Sequence, residues 1–280
     1  MRIQLFSDLH LERYPDFQPA IHPGTDVVVL AGDIGSYQSN SRLRDDDFGL
    51  GRFSPQRLGL SGAADARVLY IPGNHEFDSL EYADAYARLR ATCAALGITW
   101  LDREVVTIGD VRFIGTTLWA DFDALASRES EPARQLKQRD KAFRAANYYL
   151  SKNTTLRDGS PILAEAQRAL SLACQDWLRG ALATPFEGTT VAVTHYAPSL
   201  LSADPRYGLT PGTAGFCNTL DDLFPYAQLW LHGHLHCRND YTVEGSSDGK
   251  PWACRVVANP LGYLSKGEQE GFQPALVIEL

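Results

Sequence analysis

Apolar residues in this chain come in short blocks, and several blocks stop abruptly at Asp, Asn, Gly or His. Residues 3–6 read as a first strand, followed by a loop over 11–26 punctuated by Pro15, Pro19 and Pro23. Val27-Val28-Val29-Leu30-Ala31 is apolar without a break, as expected of a strand covered on both faces of a sheet. Residues 68–71, 191–193, 229–231, 255–258 and 275–278 predict further strands. Residues 105–108 and 111–115, split by Gly109-Asp110, predict a hairpin. Tyr82, Tyr86, Leu89, Cys93 and Leu96 recur at helical spacing, predicting a helix from about residue 80 to 96 with Gly97 as its stop. Ser160-Pro161 predicts the start of a second long helix, serine as cap and proline in its first turn. Its buried face would carry Leu163, Leu170, Cys174, Trp177 and Leu178, with Trp177 a core residue. Residues 121–158 are charged and helix-compatible, and carry Phe143, Tyr148 and Tyr149; they form either a cap beside a site or an outer helical layer. The sum is a mixed sheet with helices outside.

The block ends carry the chemistry. Residues 3–6 run into Ser7-Asp8-Leu9-His10, and extended alternation would point Asp8 and His10 the same way. Later blocks end in Gly32-Asp33, Gly73-Asn74-His75-Glu76, Thr194-His195 and His232-Gly233-His234-Leu235-His236. Six of the seven histidines fall in these places, and only His22 stands apart. Histidines used simply for packing have no reason to gather after apolar runs, so the five ends are expected to converge on a two-metal hydrolytic site. Gly32, Gly73 and Gly233 leave room for tight turns where a side chain would crowd the metals.

At 280 residues the chain could form one large α/β domain or two small ones. No polar linker divides it, and the candidate ligands run from 8 to 236, so one domain over 1–280 is expected, with cap or loop insertions at 35–66 and 121–158. The net charge of -8 argues against a general nucleic-acid binder, yet allows a small anionic substrate because bound cations reverse the local field. Five cysteines without close pairing suit a reducing compartment. The opening residues do not read as an export signal, and no apolar run reaches the roughly 18 residues of a membrane span. A cytoplasmic protein without a membrane partner is expected.

The ordered blocks D-x-H, G-D, G-N-H-[DE], H and G-H-x-H make the sequence resemble the calcineurin-like metallophosphoesterase superfamily, near its small bacterial-type phosphodiesterases. They stand here as Asp8-Leu9-His10, Gly32-Asp33, Gly73-Asn74-His75-Glu76, His195 and Gly233-His234-Leu235-His236. The resemblance implies a four-layered α/β/β/α sandwich with two mixed β-sheets. It also implies that Asp8, His10 and His236 hold one metal, that Asn74, His195 and His234 hold the second, and that Asp33 bridges both. Such a donor set suits Mn, Fe or Zn better than Ca or Mg. A water shared by the two ions would attack phosphorus in line, with His75 as proton donor and Asn74 able to give its amide hydrogen to phosphate. Glu76 would support neighbouring groups or cap the next helix, and His232 would serve a supporting or structural role rather than bind metal.

The pattern also departs from one branch. Phosphoprotein phosphatases continue the second block as G-D-x-x-D-R-G, where this chain has Ser36 and Tyr37 in place of the Asp-Arg pair. The carboxylate supporting the proton donor and the phosphate-clamping arginine are therefore missing at those positions. Arg42, Arg44, Arg52 and Arg57 are either surface charge or phosphate contacts; Arg128 and Arg206 could also clamp from loops. Asp45, Asp46 and Asp47 are expected in solvent, and Tyr196 either lines the pocket or packs under the ligand loop. Metal-dependent phosphodiester hydrolysis of a small or nucleotide-like substrate is the expected function. The alternatives are a phosphomonoesterase or pyrophosphatase, and a non-catalytic interaction module that keeps the fold.

Overall fold

The computed structural model describes residues 1–60, 67–152 and 155–280, so parts of the two expected insertions, 61–66 and 153–154, lie outside the described residues. In chain order the elements are β1 (Arg2–Phe6), β2 (Val27–Ala31), β3 (Arg67–Ile71), α1 (Tyr82–Leu96), β4 (Thr99–Trp100), β5 (Glu104–Ile108) and β6 (Val111–Thr116). They continue with α2 (Pro132–Leu150), β7 (Leu156–Arg157), β8 (Ser160–Pro161), α3 (Ala164–Ala183), β9 (Thr189–Thr194), β10 (Leu229–His232), β11 (Asn239–Ser247), β12 (Lys250–Ala258) and β13 (Val277–Glu279). Two mixed sheets result, ordered β13-β1-β2-β3-β4 and β11-β12-β10-β9-β6-β5. The edge strands β13, β11 and β5 pair antiparallel with their neighbours, and all the other pairings in these two sheets, edge strand β4 included, are parallel.

Alternation along the strands builds the layers. Ile3, Leu5, Val27, Val29 and Leu69 meet Phe113, Val191, Val193, Leu229 and Leu231 in one buried cluster between the sheets. The opposite faces carry Val28, Leu30, Val68 and Tyr70 toward Ala85, Leu89 and Cys93 of α1, and Ala192 and Trp230 toward Cys174 and Leu178 of α3. This is the expected α/β sandwich: two sheets face to face with helices outside. The uninterrupted apolar run of β2 follows directly, since both of its faces are covered, each buried valine or leucine contributing roughly 1.5–3 kcal/mol. Parallel pairing aligns Phe6 with Leu30, Ala31 with Ile71, and Leu231 with Val193. The carboxyl ends of the interior strands therefore open on one edge, where α/β sheets bind ligands.

Two expectations need correction. The second long helix starts at Ala164, not at Ser160-Pro161, which form strand β8. Asp158 (φ 52°) and Gly159 (φ 72°) make a tight turn between β7 and β8, and that Asp-Gly signal outweighs the Ser-Pro cap. Leu163 consequently lies before the helix, 39% exposed. Strand β11 escapes sequence reading because it has few apolar positions; its register comes from β12 and a second Asp-Gly turn at Asp248-Gly249. Helix α1, its Gly97 stop at φ 71° and the β5–β6 hairpin form where the pattern places them.

Candidate active site

The strand pairing of β1 ends near Phe6, and Asp8 and His10 follow in left-handed backbone, φ 52° and 47°. The same conformation recurs at Asp33 (φ 55°), His234 (φ 72°) and His236 (φ 49°). Extended alternation is thus not what aligns Asp8 with His10; successive left-handed turns do it. Each costs a non-glycine residue about 1–3 kcal/mol, and such strain persists only where neighbours over-determine it. The neighbours here are backbone and buried carboxylates. Asp8 and His10 N–H donate to the Gly32 and Asp33 carbonyls at 3.0 and 3.1 Å. Buried Glu76 accepts from the N–H groups of Gly73, Asp33 and Ile34 at 2.8, 3.1 and 2.7 Å. Asp33 Oδ1 accepts the His75 N–H at 2.8 Å, and the Asp8 carboxylate accepts that of His234. Gly73 is required by space alone: a Cβ there would lie 2.1 Å from Asp33 Oδ1.

Two donor groups converge on this floor. The donor atoms of Asp8, His10, Asp33 and His236 all lie within 4.8 Å of one another, as do those of Asp33, His195 and His234. Asp33 belongs to both groups. Asn74 Oδ1 stands 3.2 Å from His195 Nε2, which completes the seven side chains named from sequence. Outer partners set the imidazole tautomers. His10 Nδ1–H donates to Glu12 at 3.2 Å and His236 Nδ1–H to Glu268 at 2.6 Å. His195 Nδ1–H donates to the Ala31 carbonyl at 2.8 Å. Carboxylates and carbonyls only accept, so in the neutral rings that a metal would require the Nε2 lone pairs face the centre.

The electrostatics describe a site made for cations. Burial would raise Asp8 and Asp33, yet the facing imidazoles hold Asp8 down to about 2 and Asp33 well below the usual carboxylate range. Burial would lower His195 and His236, but Asp33 raises the first to about 9, and the Asp8 and Glu268 carboxylates raise the second to about 9. Burial together with His195 pushes His234 down to about 3, keeping it neutral. His10 and His236 bring their Nε2 atoms to 3.0 Å of each other, and buried Asp33 Oδ2 has no hydrogen-bond partner. Two ring nitrogens and an orphaned carboxylate oxygen aimed at a common space fit a pair of metal ions, and the Asp/His/Asn donors suit transition metals.

His75 faces the same space without joining either group. Its Nδ1 lies 2.5 Å from Asp78 and its Nε2 4.0 Å from Asp33 Oδ2. Burial would lower it, but the Asp78 and Asp33 carboxylates raise it well above its ordinary value. A carboxylate absent from positions 36–37 thus stands beside His75 from Asp78, three residues after it. His232 is turned away, bonded to Ser202 and the Gly233 carbonyl. Tyr196 is buried, packs its ring 3.9 Å from that of His234, and also lines the cavity. Tyr37 is structural, its hydroxyl bridging Asp45 and Phe48. Asp47 is half-buried and caps the turn at Gly49 and Gly51, while Asp45 and Asp46 are exposed.

The arginines weighed as phosphate contacts stand elsewhere. Arg52 donates to the Phe17 carbonyl, and Arg206 is held bidentately by Asp204. Arg13 and Lys266 line the cavity instead. Sequence reasoning passed over Glu12, Asp78, Glu268 and Tyr263, whose ring stacks 4.4 Å from His10. Glu12 and Asp78 are discoverable as carboxylates two and three residues beyond a site histidine. Glu268, 32 residues past His236, sends no local signal.

A two-sheet α/β sandwich with this donor set at its carboxyl edge is a metal-dependent hydrolase whose Asp/His cluster fits a binuclear site. The chain belongs to the calcineurin-like phosphoesterase family, whose model matches residues 1–238. The uncharacterized protein L509 of Acanthamoeba polyphaga mimivirus is 22% identical over 228 residues, covering 76% of this chain and 74% of its own. Phosphopantetheinyl hydrolase (PptH) from Mycobacterium tuberculosis has the same fold: TM-score 0.62 at 19% identity, over 96% of this chain and 92% of that one. No helix among the described residues is long and apolar enough to cross a membrane.

Proposed function

We propose that this phosphoesterase is a phosphodiesterase acting on a small or nucleotide-like substrate, with two transition-metal ions (Mn, Fe or Zn). Asp8, His10 and His236 would hold one ion, Asn74, His195 and His234 the other, and Asp33 would bridge. The observation that carries this reading is Asp33: a member of both donor groups, its Oδ2 buried without a hydrogen-bond partner. When bound, the ions polarise the phosphoryl group and supply an ionised water as nucleophile. The chain does the rest. His75, kept protonated by Asp78, gives its Nε2 proton to the departing oxygen, and Asn74 turns its amide toward a phosphoryl oxygen.

Diester preference rests on the missing arginine clamp at Tyr37, since a monoanion needs less fixed positive charge than a dianion. Arg13 and Lys266 on the cavity wall favour a phosphomonoester or pyrophosphate instead. The whole of 1–280 acts as one catalytic domain in this reading, with α2 as a cap, since Ala145, Ala146, Tyr149 and Leu150 line the cavity. The five free cysteines accord with a reducing, cytoplasmic setting. Bis-p-nitrophenyl phosphate and p-nitrophenyl phosphate, assayed side by side across added Mn²⁺, test the proposal. The diester is expected to turn over faster, and Asp33→Asn to lose metal and activity together. Faster monoester turnover overturns the diester assignment; wild type that takes up no metal and hydrolyses neither ester would leave a binding module.

A further inference from the structure

The cavity over the centre measures about 910 Å³, far more than a phosphoryl group occupies. Its two sides differ in chemistry. On the His10–His236 side stand Tyr263, Glu268, Arg13 and Lys266, a polar and charged wall. On the His234 side, the rings of Tyr196 and Phe216 lie 3.9 and 5.0 Å from the imidazole, and Trp119 follows 5.8 Å from Tyr196. Beyond them the wall passes to Phe122, Ala146, Leu150, Ile162 and Leu170, contributed by α2, α3 and the segments beside them. We infer that this wing receives an uncharged hydrocarbon arm of the substrate, so that the ester carries an apolar chain on one oxygen; the inference rests on the hydrolase reading above.

Some of the polar groups at this wing hold its walls together. Gln167 on the lining donates an amide N–H to the Tyr196 hydroxyl at 3.1 Å, and behind the lining Asn147 of α2 accepts the first N–H of α3 at 2.8 Å. Lys152, also on the lining, places its ammonium 3.7 Å from the centre of the exposed Tyr148 ring. Most of the remaining surface is methyl, leucine and ring, which an alkyl chain covers without needing a hydrogen bond.

The test uses the metal-loaded full chain and a ligand with only one arm. Affinities of methyl-, butyl- and hexylphosphonate are measured by calorimetry, while the same preparation is assayed on bis-p-nitrophenyl phosphate and p-nitrophenyl phosphate. Each fully buried methylene is worth about fourfold in affinity, and half-burial about twofold, so with five more methylenes hexylphosphonate is expected to bind at least about 30-fold tighter than methylphosphonate. Ala146→Trp, which fills the wing, should collapse that ratio. Equal binding of the two phosphonates by a protein that hydrolyses either ester overturns the apolar arm and leaves the hydrolase reading standing. A chain-length gain that survives Ala146→Trp overturns the location. Hydrolysis of neither bis-p-nitrophenyl phosphate nor p-nitrophenyl phosphate by metal-loaded protein overturns the hydrolase reading, and the arm with it. Should Ala146→Trp not fold, the wild-type chain-length series decides alone.

Discussion

Gly73→Ala isolates the geometric demand of the centre in one methyl group. Gly73 links the end of β3 to Asn74, and an added Cβ would stand 2.1 Å from Asp33 Oδ1, 2.6 Å from Asp33 N and 2.8 Å from Asp33 Cγ. Ordinary contact begins at 3.4 Å, so the carboxylate oxygen must retreat by about 1.3 Å. Rotation offers no escape, because Oδ1 holds the His75 N–H and the Asp33 N–H is anchored to Glu76. The retreat would move the one side chain common to both donor groups. Misplacement by about 1 Å costs on the order of 10²-fold in rate, and overpacking costs about 1–3 kcal/mol of stability. At roughly 2–4 °C per kcal/mol, Tm should fall by about 2–12 °C. The expected variant is folded by circular dichroism, binds less than its full complement of Mn²⁺ by elemental analysis, and turns over diester about 100-fold more slowly. Gly180→Ala is the control: it lies within α3 with nothing near its Cβ position, so it should add about 0.5–1 kcal/mol of stability and leave turnover alone. A Gly73→Ala protein that keeps both ions and turns over within about threefold of wild type would refute the steric reasoning.

Glu268→Gln removes the carboxylate that fixes the His236 tautomer at 2.6 Å, and is expected to weaken binding of one ion about 10–100-fold; an unchanged calorimetric isotherm counts against that role. Asp78→Asn should lower the kcat for an alkyl leaving group at least about tenfold, but hardly affect p-nitrophenolate, which leaves without a proton. Equal losses on both leaving groups would mean that Asp78 acts otherwise than through the His75 proton. In metal-stripped protein, His195 and His236 are raised from 6.5 to about 9, so their stabilising contribution is full below pH 6.5 and is lost as pH rises through 9. Tm of the stripped protein should therefore fall between pH 7 and 9.5, while metal affinity rises over the same window as the competing protons leave. A stripped-protein Tm that is flat across it contradicts the ion pairs.

Much of this architecture is legible along the chain because burial leaves a local trace. The unbroken apolar run of Val27–Ala31 reports a strand covered on both faces, and the spacing from Tyr82 to Leu96 reports α1. The blocks ending in Asp8, Asp33, Asn74, His195 and His234 report where chemistry is placed, since polar residues right after buried strands must surface at a sheet edge. Turn chemistry is equally local, and the Asp-Gly pairs at 158–159 and 248–249 were the stronger signal where Ser160-Pro161 misled. Other features have no local trace. The left-handed turns at Asp8 and His10 are held by backbone of neighbouring strands, and Glu268 reaches His236 across 32 residues. The apolar wing beside His234 is assembled from α2, α3 and the segments beside them, none of which encloses it alone.

The sequence by itself determined which side chains gather at the donor cluster and that strands deliver them, because residue type and apolar periodicity are properties of neighbouring positions. Only the tertiary structure decided which acceptor orients each imidazole, how close the donors come, and what kind of wall lines the cavity. Those depend on distances between segments far apart in the chain, and such distances are set by the packing of two sheets against each other.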